Sequence, residues 1–276
     1  MPELAELRIM SDYINKQCNG RVFVNMRKSV VSKVKTPMKM PFEAFMMKAV
    51  SRGKELKLTF ASKTKAETHL VCSMGMSGNW AFTRTGEEQK HSHLMFDTID
   101  GWTLSLVDVR RFAKWKWGDW NAGRGPDPTY EFEDFVTRIY KNIEHKSFQR
   151  EICEILLDQK YFNGIGNYLR STILYYADQC PWTPAKDAIF SNPRILELCR
   201  DVPLRAYLMN GGQLKDWVNP FDKPEERVSF RQWVFYYKGS SCIDGSGRRF
   251  WFDPKWEDSC PHDIKTESED ETFETE

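Results

Sequence analysis

The spacing of apolar positions changes twice along the chain, and each change marks a boundary. Leu4, Leu7, Met10 and Ile14 fall on one helical stripe over residues 4–18, with Ile9 off it, and Asn19-Gly20 closes the run as a helix end does. From Arg21 to about Trp120 the helical period disappears. Short runs rich in Val, Phe, Thr and Trp replace it, at Arg21–Val24, Leu56–Ala61, His69–Ser73, Asn79–Thr83, His93–Asp97 and Thr103–Val107. Many short strands separated by turn residues predict a β-sandwich or barrel. No repeat of 20–50 residues interrupts the pattern.

Residues 121–129, dense in Gly and Pro, read as a linker. Helical spacing then returns over Phe132–Ile143, with Phe135, Ile139 and Tyr140 on one face. It recurs over Glu151–Tyr161 and again up to Tyr176. The last two runs are joined by the Gly-containing stretch Phe162–Tyr168, a helix-turn-helix arrangement. A further helix covers Ile195–Cys199, and a loop holds Asn210-Gly211-Gly212-Gln213. Arg231–Lys238 reads as a strand, Gly239–Gly247 as a turn and Arg248–Phe252 as the returning strand, which puts Arg248 at the exit of a hairpin. Beyond Pro261 the chain is acidic and almost without apolar residues, so disorder is expected there.

At 276 residues and 41% hydrophobic content the chain suits one large or two medium domains with real cores. It has no 18-residue apolar run and no secretory signal pattern, since acids stand at positions 3 and 6. Seven scattered cysteines, an odd number, suggest reduced thiols inside a cell. The net charge of +1 hides an asymmetry. Residues 262–276 carry seven acids against one Lys, a net −6, while the rest holds 39 basic against 32 acidic groups, a net +7. A basic body with an acidic tail is compatible with a nucleic-acid partner, and a solvated charge mix explains it about as well.

Several residues are candidates for chemistry. Pro2 follows the initiator Met, and a small residue there permits removal of Met1. The new terminus would be a secondary α-amine titrating near ~7.7–8.0, against ~10.4 for Lys. The neutral fraction of such an amine can attack an electrophilic carbon and form an iminium ion. Glu3 and Glu6 lie close by to move protons. Taken alone, the stretch reads more simply as a helix start in which two acids favour the dipole. Arg52-Gly53-Lys54 suits a phosphate or a solvated turn. Met76, in Met74–Gly78, is a packing filler or a wedge for a base stack. Arg110 and Phe112 pair a guanidinium with an aromatic ring, for stacking on bases or for covering the core. Asn167 opens a helix, where a phosphate or a plain N-cap role fits. His91 and His93 read as structural. Cys242, Cys260 and His262 lack the paired spacing of a zinc ribbon.

The ordered set of stretches resembles the formamidopyrimidine-DNA glycosylase/endonuclease VIII (Fpg/Nei) family, and most of all its eukaryotic Nei-like branch with a zincless finger. The stretches are Pro2-Glu3 with Glu6, Arg52–Leu56, Gly75–Gly78, Asp108–Phe112, Phe162–Arg170 and Gly247–Phe252. Where the family usually has Gly-Pro, this chain has Leu4-Ala5. At position 213, where Arg or Lys is commonest, it has Gln.

The resemblance implies an α+β multidomain fold. Its parts would be an N-terminal β-sandwich catalytic domain (1–120), a linker (121–131), a helix-two-turns-helix domain (132–228), a zincless finger hairpin (229–256) and a disordered acidic tail (257–276). It implies a bifunctional DNA glycosylase/AP lyase that excises oxidised pyrimidines, formamidopyrimidines and hydantoins through a Pro2 Schiff base and β,δ-elimination. Glu3 would be the acid/base, with Glu6 and Lys54 assisting. Lys54, Asn167 and Arg248 would hold phosphates, Met76, Arg110 and Phe112 would fill the vacated duplex, and Gln213 would sit in the loop over the lesion. No metal or other cofactor is expected. The partner would be damaged double-stranded, and also single-stranded or bubble, DNA. The protein would be a soluble intracellular monomer, in the nucleus or another DNA-containing compartment. The alternative is a non-catalytic binder of damaged or single-stranded DNA on the same fold.

Overall fold

A computed structural model describes residues 1–64, 66–211, 219, 221 and 224–265. The chain divides into two compact units, Met1–Ala122 with Ala206–Arg231, and Gly123–Arg205 with Gln232–Glu276.

The first unit opens with α1 (Leu4–Cys18) and continues through eight strands. These are β1 (Phe23–Lys28), β2 (Met46–Arg52), β3 (Glu55–Ala61), β4 (Glu67–Ser73), β5 (Asn79–Arg84), β6 (Ser92–Thr98), β7 (Trp102–Val107) and β8 (Lys114–Trp117). They form two antiparallel four-stranded sheets, ordered β1-β6-β7-β5 and β2-β3-β4-β8. Alternation on each strand sends one row inward, as for Leu56, Leu58 and Phe60 of β3. Those rows meet Leu94, Phe96, Leu104 and Leu106 of the other sheet in one apolar cluster, so the expected sandwich is present. The Phe60 and Phe96 rings lie 5.4 Å apart inside it.

Three features of this unit differ from the sequence expectations. Strand β2 has no counterpart among the expected strands; its buried row is only Met47, Ala49 and Ser51, residues with little strand preference. The Lys-Trp-Lys-Trp alternation of β8 also forms a strand. Ile9, off the predicted stripe, is 1% exposed, because α1 is covered on two sides. One cover is β2, and the other is the returning segment after Ala206. There Tyr207 donates to Asp12 at 2.7 Å, Arg8 lies 4.1 Å over the Tyr207 ring, and Phe221 meets Tyr13 edge-on at 5.8 Å. Residues 206–231 therefore cluster with the N-terminal unit and not with the helical region beside them in sequence.

The second unit contains α2 (Phe132–Asn142), a short 3-10 turn (Lys146–Gln149), α3 (Ile152–Ile155), α4 (Asn167–Ala177) and α5 (Ala185–Ser191). Helix α6 (Arg194–Leu208) runs from this unit into the first, and α7 (Pro224–Trp233) spans the second boundary. A three-stranded sheet follows, ordered β10-β9-β11, from β9 (Ser240–Ile243), β10 (Arg249–Phe252) and β11 (Ile264–Lys265).

The helix expected over Glu151–Tyr161 shortens to one turn, because the Asp158 carbonyl accepts from the N–H groups of Tyr161 and Phe162 and closes the chain into turns. Arg231–Lys238 is not a strand. Helix α7 continues to Trp233, and the aromatic run after it packs instead of pairing. Phe235 stacks on Tyr175 at 4.2 Å, while Tyr236 and Tyr237 flank Trp251 at 4.5 and 4.6 Å. The hairpin survives with a later first strand, β9. The tail expected from residue 257 is ordered at its start: a 3-10 turn spans Pro254–Ser259, and Ile264 pairs with Cys242 as the third strand. Residues 266–276 lie outside the described part. Among the described residues no helix is long and apolar enough to cross a membrane.

Candidate active site

Helix α1 starts at Leu4, with Glu3 as its N-cap and Glu6 at the third helical position in a capping box. The Glu3 N–H donates to Glu6 Oε2 at 2.8 Å. Both carboxylate residues are buried, Glu3 at 2% and Glu6 at 0% exposure, and Pro2 is buried beside them. Leu4 and Ala5 are buried too, so replacement of the family's Gly-Pro leaves a well-formed helix start. Gly211 lies against Glu6. At φ +64°, a Cβ there would sit 2.9 Å from Glu6 Oε1 and 3.0 Å from Ile9 Cδ1. With Met1 in place the Pro2 nitrogen is an amide.

The helix is registered on β2 by polar groups. The Asn15 side chain accepts from the Ala49 N–H at 2.8 Å and donates to the Ala49 carbonyl at 2.9 Å, which the Ser11 hydroxyl also meets at 2.9 Å. The outer edge of this strand is thereby closed at Ala49 by a side chain that mimics a backbone partner. At the far end of β2, Arg52 pairs with Glu55, leaving Gly53 and Lys54 as a two-residue hairpin turn. Lys54, in the stretch that suits a phosphate or a solvated turn, is thus the tip residue of a hairpin, half-buried beside the buried Glu55. Glu55 accepts from the Asn121 N–H at 3.1 Å.

Met76, Arg110 and Phe112 come together through Asp108, a fully buried carboxylate. Its Oδ1 accepts from the Ser77 hydroxyl at 2.5 Å and from the Arg110 N–H at 3.2 Å. Its Oδ2 accepts from the N–H groups of Phe112 and Ala113 at 2.6 and 2.7 Å. Gly75 permits the closest approach of the two loops, since a Cβ there would lie 2.7 Å from Phe112 Cβ. Phe112 remains 44% and Met76 37% exposed, although both are large and apolar. The Arg110 guanidinium sits 5.1 Å over the Phe112 ring. His93 is buried with Nε2 3.0 Å from the Asp108 carbonyl, in keeping with a structural role.

In the second unit the N-cap of α4 is Gly166, so Asn167 is the first helical residue and not the cap. Its Nδ2 donates to the Arg249 carbonyl at 2.9 Å, and its Oδ1 accepts from Arg170 Nε at 2.9 Å. The preceding loop is propped from beneath. Gln159 Nε2 donates to the Ile165 carbonyl, its Oε1 accepts from the Gly164 N–H, and Asn163 Nδ2 donates to the Gly125 carbonyl. Arg248 is exposed at the end of the β9–β10 turn, its N–H held by Asp244 Oδ1 at 2.9 Å.

Cys242 is fully buried, and burial followed by its neighbour Cys260 pushes its thiol pKa up, which disfavours thiolate. His262 Nε2 lies 2.9 Å from Glu151 Oε2. Among the described residues no three His, Cys, Asp or Glu side chains gather as a metal centre. Gln213 lies outside the described residues.

Comparison with known proteins decides the family. The formamidopyrimidine-DNA glycosylase N-terminal domain matches residues 1–115. The mouse protein "Endonuclease 8-like 1" is 35% identical, over 91% of this chain and 72% of the relative. The chain belongs to the Fpg/Nei family. Human "Endonuclease 8-like 1" is 36% identical over the same shares. The Fpg/Nei member of Enterococcus faecalis, "Formamidopyrimidine-DNA glycosylase", is 25% identical over 79% of this chain and 81% of its own. Among solved structures, MutM in complex with carbocyclic 8-oxo-G containing DNA superposes with a TM-score of 0.74, at 21% identity, over 92% of this chain and 99% of that one. Lactococcus lactis Fpg (MutM) in complex with N7-benzyl-Fapy-dG containing DNA gives 0.76, at 20% identity over the same shares. At this identity the likeness establishes the α+β fold of the Fpg/Nei family.

Sequence reasoning brought Glu3 to Glu6 and Met76 to Arg110 and Phe112. It assigned no role to Asp108, Arg170, Asp244, Gly211 or the Ser11–Asn15 tether. Asp244-Gly-Ser246 carries the local turn signal of an Asx residue, and that signal was available.

Proposed function

We propose that this protein is a bifunctional DNA glycosylase/AP lyase of base excision repair, acting on damaged double-stranded DNA. The observation that carries this reading is the buried N-terminus, where Pro2 directly precedes the buried N-cap Glu3 of a helix whose first turn holds the buried Glu6. Removal of Met1 frees the Pro2 amine. Its neutral form attacks C1′ of the flipped nucleotide, the glycosidic bond breaks, and the base leaves with a proton. Glu3 carries that proton traffic and Glu6 assists. The C1′–O4′ bond then opens as O4′ takes a proton, which leaves an iminium at C1′ and a free C4′ hydroxyl, and this iminium acidifies the C2′ protons. Loss of one expels the 3′ phosphate, and a second elimination expels the 5′ phosphate. Water then releases Pro2.

Lys54, Asn167 and Arg248 are assigned to phosphates, and affinity should therefore fall with salt. Met76, Arg110 and Phe112 are assigned to the space the flipped nucleotide vacates, a role supported by the anchoring of Arg110, Phe112 and Ser77, the neighbour of Met76, on Asp108 and by the exposure of both apolar side chains. Gln213 is assigned to the loop over the damaged base, where it offers neutral hydrogen bonds in place of a cation. Oxidised pyrimidines, formamidopyrimidines and hydantoins are the proposed substrates. Activity on bubble or single strands, a monomeric state and a nuclear or other DNA-containing compartment belong to the same reading.

Borohydride trapping tests it. The processed protein should form a covalent adduct with lesion-bearing duplex, and a protein that retains Met1 should bind the duplex and form none. An undiminished adduct in the Met1-retaining form removes Pro2 from the chemistry. No adduct from either form leaves only a DNA-binding protein.

A further inference from the structure

Arg170 is a fully buried arginine, and its partner Asp244 is buried with it, both side chains at 0% exposure. Two charges taken from water in this way seldom add net stability, because desolvation offsets their attraction. An apolar pair would hold the same hairpin at less cost, and the hairpin already has Phe250 and Phe252 packed on Trp182, at 5.8 and 5.1 Å. The pair's geometry indicates what the charges add.

Arg170 reaches four neighbours. Nη1 donates to Asp244 Oδ2 at 2.6 Å and to the Cys153 carbonyl at 2.9 Å, Nε donates to Asn167 Oδ1 at 2.9 Å, and Nη2 donates to the Arg249 carbonyl at 3.4 Å. Asp244 divides its oxygens. Oδ2 faces Arg170, while Oδ1 organises the turn, accepting from the Ser246 N–H at 3.0 Å, the Ser246 hydroxyl at 2.6 Å and the Arg248 N–H at 2.9 Å. One guanidinium thus orients the Asn167 amide directly and the Arg248 backbone through a single carboxylate.

We propose that Arg170 and Asp244 are positioning residues that lock Asn167 and Arg248 into one preset phosphate clamp. This rests on the assignment of Asn167 and Arg248 to phosphates. A planar fork reads position as well as charge, which an apolar pair cannot do. In Asp244→Asn the amide nitrogen would face the Arg170 donors, or the turn would lose its acceptor, so either half of the arrangement fails.

The test is a double-mutant cycle on the processed full-length chain, read as affinity for a duplex bearing a tetrahydrofuran abasic analogue across a salt series. Arg248→Ala should weaken binding by about tenfold and reduce the salt slope by about one. Asp244→Asn should do nearly the same, and in the Arg248→Ala background it should add less than about twofold. Additive losses mean that Asp244 supports the fold generally and overturn the proposal. Wild-type affinity and slope in Asp244→Asn, beside a weakened Arg248→Ala, overturn it while leaving the phosphate assignment intact. Wild-type binding by Arg248→Ala overturns both. If Asp244→Asn does not fold, Ser246→Ala removes one exposed donor to Oδ1 and runs the same cycle at a smaller amplitude, with the same outcomes deciding.

Discussion

Helix α1 and helix α4 each begin at or next to a residue with an assigned role, and each is tethered to a neighbouring β element by side-chain hydrogen bonds. On α1 the tethering groups are neutral: Ser11 and Asn15 meet the Ala49 amide, above a large apolar cluster. On α4 the tether is ionic, running from Arg170 to Asp244. Neutral tethers to backbone tolerate changes of pH and lose about 1–3 kcal/mol, the cost of one stranded polar group, when one member is removed. A buried ion pair is unforgiving, because loss of one partner strands a charge. The protein thus holds its proposed proton-transfer residues with one kind of physics and its proposed phosphate contacts at Asn167 and Arg248 with another.

Substitutions can break this contrast. The largest effect is expected from Glu3→Gln, which should lower single-turnover base excision by about 10²–10⁴-fold while duplex affinity stays near wild type. A near-normal rate would remove Glu3 from proton transfer. Asp244→Ala should come next, destabilising the fold by about 3–5 kcal/mol in urea unfolding because Arg170 is left without its carboxylate. A loss below about 1 kcal/mol would mean that water or another group compensates. Acid sharpens the same point. Burial opposes ionisation of the Asp244 carboxyl, but the Ser246 hydroxyl, the Arg170 charge and the Arg248 N–H outweigh it and hold the pKa below the ordinary 3.8. Its stabilising contribution is therefore present above that value and is lost as pH falls through the lower folded one. The stability gap between wild type and Asp244→Asn should be constant near neutrality and close in strong acid; a gap that widens on acidification contradicts this.

Asn15→Leu tests the neutral tether. It should cost about 1–3 kcal/mol, since the Ala49 N–H is left without its acceptor, and the cost should not vary between about pH 5 and 8, a range in which no amide side chain titrates. The smallest change is expected from Met76→Ala, within about 0.5 kcal/mol in stability but with slower excision than binding alone would explain. Unchanged excision would return Met76 to the role of filler.

These contrasts were unevenly legible in the sequence. The stripe Leu4, Leu7, Met10, Ile14 and the pair Glu3 and Glu6 declare α1 and its first turn because both depend on neighbours within one helical repeat. The alternating strands of the sandwich were equally local. Strand β2 was hidden because its inward row is Met, Ala and Ser and its preference comes from α1 lying over it. The run Trp233–Lys238 misled because aromatic residues that suit a strand are here spent on Tyr175 and Trp251. Arg170 and Asp244 stand 74 residues apart, and no local pattern predicts that a charge on a helix will be buried against a distant turn.

Gly211 sets a limit on redesign. Any side chain at this position would press on the Glu6 carboxylate and adopt an unfavourable left-handed backbone. Redesign of the lesion preference proposed for Gln213 should treat Gly211 as a fixed post, because a side chain there would meet the Glu6 carboxylate and Ile9 first.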